Sequence, residues 1–323
     1  MKILGLACGR KLGNSEVLVR EALMSAADSG AQVELIRAMD LHIKPCLGCE
    51  TCVYDRMAGG DGKCVIKNDH IPFLMEKVAD SDGLIIGSPC YSSRPTGYLL
   101  MIEDRFMSMP ISLRKKMAAK HIVKAVIGVG GTEIVGGMLP FLSKIQKENM
   151  TLVDQMLVVW TSRPDQVVLN DAALARARQM GQNIVNACKT PAGQIKYAGE
   201  TASPNMADYH RSDYDKTTQI AHTFEACPVC HSDLIRLRGD YVDCPICYQR
   251  GVIEVSGNIA RFNCDPEKNP SLYSGEAGFK RHDEDGIALA NKLVQQKRQE
   301  IQKKMKKYST GLAATKPPVL DKA

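Results

Sequence analysis

Lys2-Ile3-Leu4-Gly5-Leu6-Ala7 runs without a break into Cys8-Gly9-Arg10-Lys11-Leu12-Gly13-Asn14-Ser15, and the joining of these two stretches decides the fold. The first is a short apolar run with the length of a buried strand. The second is a glycine-bearing turn, after which Ser15 to Ser29 repeats its apolar residues at helical spacing. Strand, glycine turn and helix in that order turn free N–H groups and the positive end of a helix dipole toward an anion, with Arg10 as a countercharge. The alternation continues to about residue 190. Further strands are read at Gln32 to Ala38, Gly83 to Gly87, Ile122 to Val129 and Leu152 to Trp160. Helices are read near Ile71 to Ala79, Thr96 to Met107, Gly137 to Glu148 and Ala172 to Ala187. Five strands separated by helices require right-handed crossovers and a parallel sheet covered on both faces, which is a doubly wound α/β domain.

In such a sheet a ligand sits outside the carboxyl ends of the strands, where strand order reverses, so the loops after strands one, three and four carry the function. The second of these loops is Gly87-Ser88-Pro89-Cys90-Tyr91-Ser92-Ser93, a rigid turn whose aromatic can lie against a flat ring. The third opens Gly130-Gly131-Thr132 and continues to Gly136-Gly137, leaving room for backbone to run along a ring edge. One glycine loop alone is a tight turn; three on one sheet edge point to a mononucleotide site.

At 323 residues the chain supports a large core and an appendage. Its 44% hydrophobic and 24% charged residues are those of a globular protein, so general disorder is not expected. MKILGLACGR has too short an apolar run for a signal peptide, and no stretch approaches the roughly 18 apolar residues of a membrane span. CxxC thiols without an export signal imply a cytoplasmic protein that uses cysteine for metal rather than disulfides. The net charge of +6 comes largely from one late lysine-rich segment and says little about the body.

Most of the cysteines fall into two tetrads. Cys46, Cys49 and Cys52 stand at CxxCxxC spacing, which lets a short loop wrap three corners of a 4Fe-4S cubane, with Cys64 as the fourth thiolate after eleven intervening residues. A longer loop closes at little extra entropy. Zinc is a rival, although zinc sites usually come as two separated knuckles, and a purely structural loop is another. The second tetrad has that two-knuckle form, Cys227-Pro228-Val229-Cys230 and Cys244-Pro245-Ile246-Cys247. Hairpin segments at Asp240 to Val242 and Gly251 to Val255 would complete a small ribbon that cannot fold without its metal. Rubredoxin-type sites hold iron with similar knuckles and usually place glycine after the second cysteine of each. His231 and Tyr248 occupy those positions, which favours structural zinc over iron.

The order of the GRKLGNS loop, CLGCETC, KCVIKND, GSPCYSS and EDR resembles the iron-sulfur flavoproteins of the NADPH-dependent FMN reductase superfamily, over roughly residues 1 to 190. The resemblance implies a flavodoxin-like fold, bound FMN and a homodimer or homotetramer. It also implies that Arg10, Asn14 and Ser15 hold the phosphate while Pro89, Tyr91 and Ser92, with Gly130 and Gly131, flank the ring. Two departures stand out. Ala7-Cys8-Gly9 replaces the usual glycine-serine-proline, so Cys8 offers a weak thiol donor in place of a hydroxyl. The family's fourth cysteine also follows the third after only a few residues.

Other residues carry less. Cys8 and Cys90 lie in the flavin loops either as small packing residues or as reactive thiols, with packing preferred. Cys188 and Cys264 have no partners at ligand spacing. His42 and His70 flank the first cysteine loop. Glu103-Asp104-Arg105 is read as a structural ion pair or interface feature. Residues 191–224 form the linker between the domain of residues 1–190 and a four-cysteine ribbon at 225–263, and 264–323 hold a basic helix, read at 284–307, and a tail.

The resulting functional expectation is an FMN-dependent oxidoreductase passing electrons through FMN and a 4Fe-4S cluster from a ferredoxin-like protein or NAD(P)H. The alternatives are an NAD(P)H-dependent FMN, quinone or nitro reductase without a cluster, and a zinc-ribbon nucleic-acid-binding protein. Neither nucleic acid nor a membrane is the expected partner.

Overall fold

The computed structural model describes residues 1–91, 94–130, 150–158, 161, 163, 166–199, 223–225, 227–229, 234–245, 247, 249–257, 259–265, 288–300 and 302. Its main sheet comprises β1 (Lys2–Ala7), β2 (Gln32–Arg37), β3 (Gly83–Pro89), β4 (Ile122–Val129) and β5 (Met150–Val158). They lie in the order β2-β1-β3-β4-β5, every pair parallel. The reversal of order falls between β1 and β3, so the carboxyl ends of those two strands diverge into the crevice the sequence predicts. This is the flavodoxin-like doubly wound fold.

The helices are α1 (Asn14–Asp28), α2 (Thr51–Met57), α3 (Ile71–Asp80), α4 (Gly97–Phe106), α5 (Ile111–Lys120) and α6 (Asp171–Lys189). Strand alternation divides β1 between two cores. Leu4 and Leu6 face a cluster built with α3 and α4, including Leu74, Val78, Leu99 and Ile102. Ile3 faces the opposite cluster, formed by Leu18, Val19 and Leu23 of α1 and Met180 and Ile184 of α6. Burial of apolar surface on both faces, at roughly 25 cal/mol per Å², holds the sheet between its helix layers. The helix read at Gly137 to Glu148 lies outside the described residues.

α2 and α5 are not foreseen by periodicity. α2 sits inside the cysteine segment, and its end is folded back by Gly59 (φ 86°) and Gly62 (φ 78°), with the Gly62 N–H donating to the Asp55 carboxylate at 2.7 Å. Asp61 then caps α5, accepting from the Ser112 N–H at 2.8 Å and the Ser112 hydroxyl at 2.9 Å.

A second sheet has the order β6-β10-β9-β8-β7, from β6 (Thr223–Glu225), β7 (Arg236–Leu237), β8 (Val242–Asp243), β9 (Arg250–Ser256) and β10 (Ile259–Asn263). Its pairings are antiparallel except β6 with β10. Thr223 and Phe224, read as the end of the linker, are already in strand. Beyond it α7 (Leu289–Gln296) occupies part of the helix read at 284–307, and the Tyr54 hydroxyl of α2 donates to Asn291 Oδ1 at 3.0 Å. Among the described residues no helix is long and apolar enough to cross a membrane.

Candidate functional site

A hollow of about 260 Å³ opens at the sheet edge where the loops after β1, β3, β4 and β5 meet. Arg10, Asn14, Ser15, Pro89, Cys90, Tyr91 and Gly130 all line it, together with Gly9 and Thr161. Ser92 and Gly131 lie outside the described residues.

Hydrogen bonds tie the rim in series. The Cys8 N–H donates to the Gly87 carbonyl at 2.8 Å, the Cys90 N–H to Val129 O at 2.7 Å, and the Thr161 N–H to Gly130 O at 2.8 Å. Thr96, N-cap of α4, donates its hydroxyl to Cys8 O at 2.9 Å and receives the Leu99 N–H. Tyr91 exchanges two backbone hydrogen bonds with Arg94 and, lining the hollow, is 59% exposed.

Ser15 is the most informative residue of the hollow. It is buried at the first turn of α1, and its hydroxyl oxygen has no hydrogen-bond partner among the described residues. A buried hydroxyl left unpaired costs about 1–3 kcal/mol, so the position is built for an acceptor. Beside it Gly9 has no room for a side chain: a Cβ there would stand 2.7 Å from Ser15 Oγ and 3.1 Å from the Pro89 ring. An orphan donor over a glycine floor, at the start of a helix and next to Arg10, matches the needs of a phosphate monoester. The residues present therefore fit the phosphate end of FMN.

Two sequence expectations need correction here. Cys8 continues the alternation of Leu4 and Leu6, so its thiol enters the core, fully buried, and burial pushes it far above the ordinary thiol range. It is not a phosphate donor. Asn14 lines the hollow, but its carboxamide is committed elsewhere. It donates to Arg163 O at 2.7 Å and Thr161 O at 3.3 Å and accepts the Val167 N–H at 3.2 Å, pinning the loop after β5 to α1.

A residue that the sequence analysis gives no role holds the loop after β1 in place. Glu16 is fully buried, paired with Arg20 at 2.8 Å and Arg37 at 2.9 Å, and it accepts the N–H of Leu12, whose φ is 53°. Burial pulls its carboxyl upward, but the hydrogen bonds from Arg37, Arg20 and Leu12 win and hold it below the usual carboxylate range.

The four front cysteines converge. Cys46, Cys49, Cys52 and Cys64 line one cavity, shared with Arg105, Asp104 and Met107. The eleven residues before Cys64 are no obstacle, because α2 and the turn anchored by Asp55 and Asp61 use them up. Sulfur already acts as an acceptor there: the Thr51 hydroxyl donates to Cys49 Sγ at 3.4 Å and the Ile66 N–H to Cys64 Sγ at 3.5 Å. The Thr51 bond holds Cys49 below the ordinary thiol range, whereas burial raises Cys52. Four thiols around one apolar-walled cavity fit an iron-sulfur cluster by their donor chemistry. His42 and His70 are clipped to each other, His42 N–H to His70 Nδ1 at 2.7 Å and His70 N–H to His42 O at 2.9 Å.

In the second sheet Cys227, Cys244 and Cys247 are buried with their sulfurs within 4.8 Å of one another, Cys227 and Cys247 at 3.6 Å. A tetrahedron with metal–sulfur bonds of about 2.3 Å has edges of roughly 3.8 Å, so this spacing suits one four-coordinate metal. Cys230 lies outside the described residues. Cys264, which has no partner at ligand spacing in the sequence, packs against this cluster; burial and the neighbouring Cys247 and Cys244 push its thiol up to about 11.

Comparison with known proteins agrees with this geometry. Residues 1–155 match the NADPH-dependent FMN reductase family. An iron-sulfur flavoprotein of Methanocaldococcus jannaschii is 30% identical over 203 residues, 58% of this chain and 98% of that protein. The chain belongs to the iron-sulfur flavoproteins of the NADPH-dependent FMN reductase superfamily. It is accordingly a flavin-dependent oxidoreductase. A longer likeness extends past the flavodoxin-like domain: a flavone synthase of Aspergillus candidus is 25% identical over 310 residues, 88% of each chain. A solved flavone reductase superposes with a TM-score of 0.71 at 22% identity, covering 98% of this chain and 100% of that one, which carries the fold alone.

Proposed function

We propose that this iron-sulfur flavoprotein binds FMN in the hollow at the sheet edge, holds a 4Fe-4S cluster on Cys46, Cys49, Cys52 and Cys64, and passes electrons between a ferredoxin-like protein or NAD(P)H and an acceptor. The observation that carries the reading is the buried, partnerless hydroxyl of Ser15 inside that hollow. FMN, when bound, supplies a centre able to exchange electrons singly or in pairs. The chain's own residues supply position. Ser15, the first amides of α1 and Arg10 take the phosphate, Glu16 keeps the loop in register, Thr96 locks the neighbouring loop, and Pro89 and Tyr91 border the ring. No side chain is assigned as a general acid or base. The ribbon metal is assigned as structural zinc, and two or four copies of the chain make up the assembly.

Anaerobic reduction separates the donors: bleaching of the flavin bands by NADPH or NADH alone supports a nicotinamide-linked enzyme, and bleaching only by reduced ferredoxin supports a carrier. Flavin that responds to neither contradicts the reading. A second reading has its own support in the flavone synthase relative, whose likeness spans 88% of this chain where the archaeal relative spans 58%. On that reading the acceptor is a planar, conjugated carbonyl compound lying on the exposed ring of Tyr91. Flavone-dependent reoxidation of the reduced protein tests it.

A further inference from the structure

Arg105 lies in the last turn of α4 with 1% of its surface exposed. Its Nη1 donates to the Lys44 carbonyl at 2.7 Å and is paired with the fully buried carboxylate of Asp69. Its Nε and Nη2 have no hydrogen-bond partner among the described residues. A guanidinium is never deprotonated in proteins, so these nitrogens present N–H donors with nothing to receive them, an arrangement that is costly in a buried site. The same side chain lines the cavity that all four front cysteines line.

We propose that Arg105 is a positioning residue for that four-thiolate site: its Nε and Nη2 donate to sulfur atoms of the cluster and raise the cluster's reduction potential. The inference rests on the assignment of Cys46, Cys49, Cys52 and Cys64 as cluster ligands. Adding one electron to a cluster increases the negative charge on its sulfurs, and donors aimed at them from a rigid, dry setting stabilise the reduced form. Asp69 and the Lys44 carbonyl fix the direction of the fork. Asp69 also balances the positive charge, so the effect lies in the aimed N–H groups and not in a free cation.

The test compares wild-type protein with Arg105→Lys by iron and acid-labile sulfide analysis and by potentiometric titration of the cluster and of FMN. Lysine keeps a cation for Asp69 but carries its N–H donors on one nitrogen, without the Nε and Nη2 of the fork. The expected result is unchanged iron and sulfide, an unchanged FMN potential, and a cluster reduction equilibrium weakened about tenfold, which for one electron is about 59 mV. Should Arg105→Lys fail to fold, Arg105→Gln with Asp69→Asn removes both buried charges together, leaves neither unpaired, and should lower the potential in the same way. A cluster with wild-type potential in either variant overturns the role of Arg105 alone. Wild-type protein without iron and sulfide overturns the cluster assignment as well.

Discussion

Gly9 and Ser15 are six residues apart and share one small space: a Cβ on Gly9 would stand 2.7 Å from the buried, unpartnered hydroxyl oxygen of Ser15. The hydroxyl is thus held over bare backbone at the start of α1, where it does nothing for the fold without a ligand. Ser15→Ala should weaken FMN binding about tenfold or more, since a hydrogen bond to a charged group contributes about 1.5–3 kcal/mol. Thermal stability of the flavin-free protein should be unchanged or slightly higher. Fluorescence titration with FMN, alongside melting of the stripped protein, reads both.

Gly9→Ala should weaken FMN binding too, but with a cost to the flavin-free fold. The added methyl meets Ser15 Oγ and the Pro89 ring, so either the Ser15 hydroxyl turns away from the hollow or the loops after β1 and β3 separate. The expected outcome is a lower melting temperature without FMN, of the size of an overpacked site at about 1–3 kcal/mol, together with weakened FMN binding.

Glu16 sets an acid limit. Its folded-state carboxyl is held below the ordinary range by Arg37, Arg20 and the Leu12 N–H, against the upward pull of burial. A depressed carboxyl contributes stability that is present above its unfolded value, about 4.3, and is lost as pH falls through the lower folded value. Glu16→Gln should flatten that acid limb in a urea-melt series across pH. At neutral pH it should also lower stability, because Arg20 and Arg37 lose their shared carboxylate, although Arg37 keeps Asp40.

The ribbon and the flavodoxin-like domain should separate under chelation. Cys227, Cys244, Cys247 and Phe262 form a small core in which the three cysteines are fully buried. So small a core would depend on the metal proposed for it. Cys244→Ser, or metal removal, should expose the segment after Glu225 to proteolysis while leaving FMN content intact. Limited proteolysis with metal and flavin analysis checks this.

Much of the fold was legible in the sequence. β1 and β4 fall where the apolar pattern predicts them, because strands buried on both faces read as nearly continuous apolar runs, broken in β4 only by the buried Lys124. α2 and α5 were not legible, and the reason is physical. α2 buries only Val53 and α5 only Met117, so neither carries an apolar stripe. Both are held by side chains that act across the fold, Asp55 on Gly62 and Asp61 on Ser112. The sequence did contain the grouping of Ser15, Pro89 and Gly130, which the structure brings to one hollow. The candidate site was not legible where packing decides direction. The thiol of Cys8 turns inward by simple alternation from Leu4 and Leu6, a signal the sequence did contain. The commitment of Asn14 to the loop after β5, and the two idle nitrogens of Arg105, become visible only when distant segments are brought together.

The cofactor content of anaerobically purified wild-type protein tests the central claim most directly. The account expects one FMN per chain that leaves and returns saturably, with four iron and four acid-labile sulfide atoms in addition to the ribbon metal. Colourless protein that takes up no FMN when it is supplied in excess would contradict it.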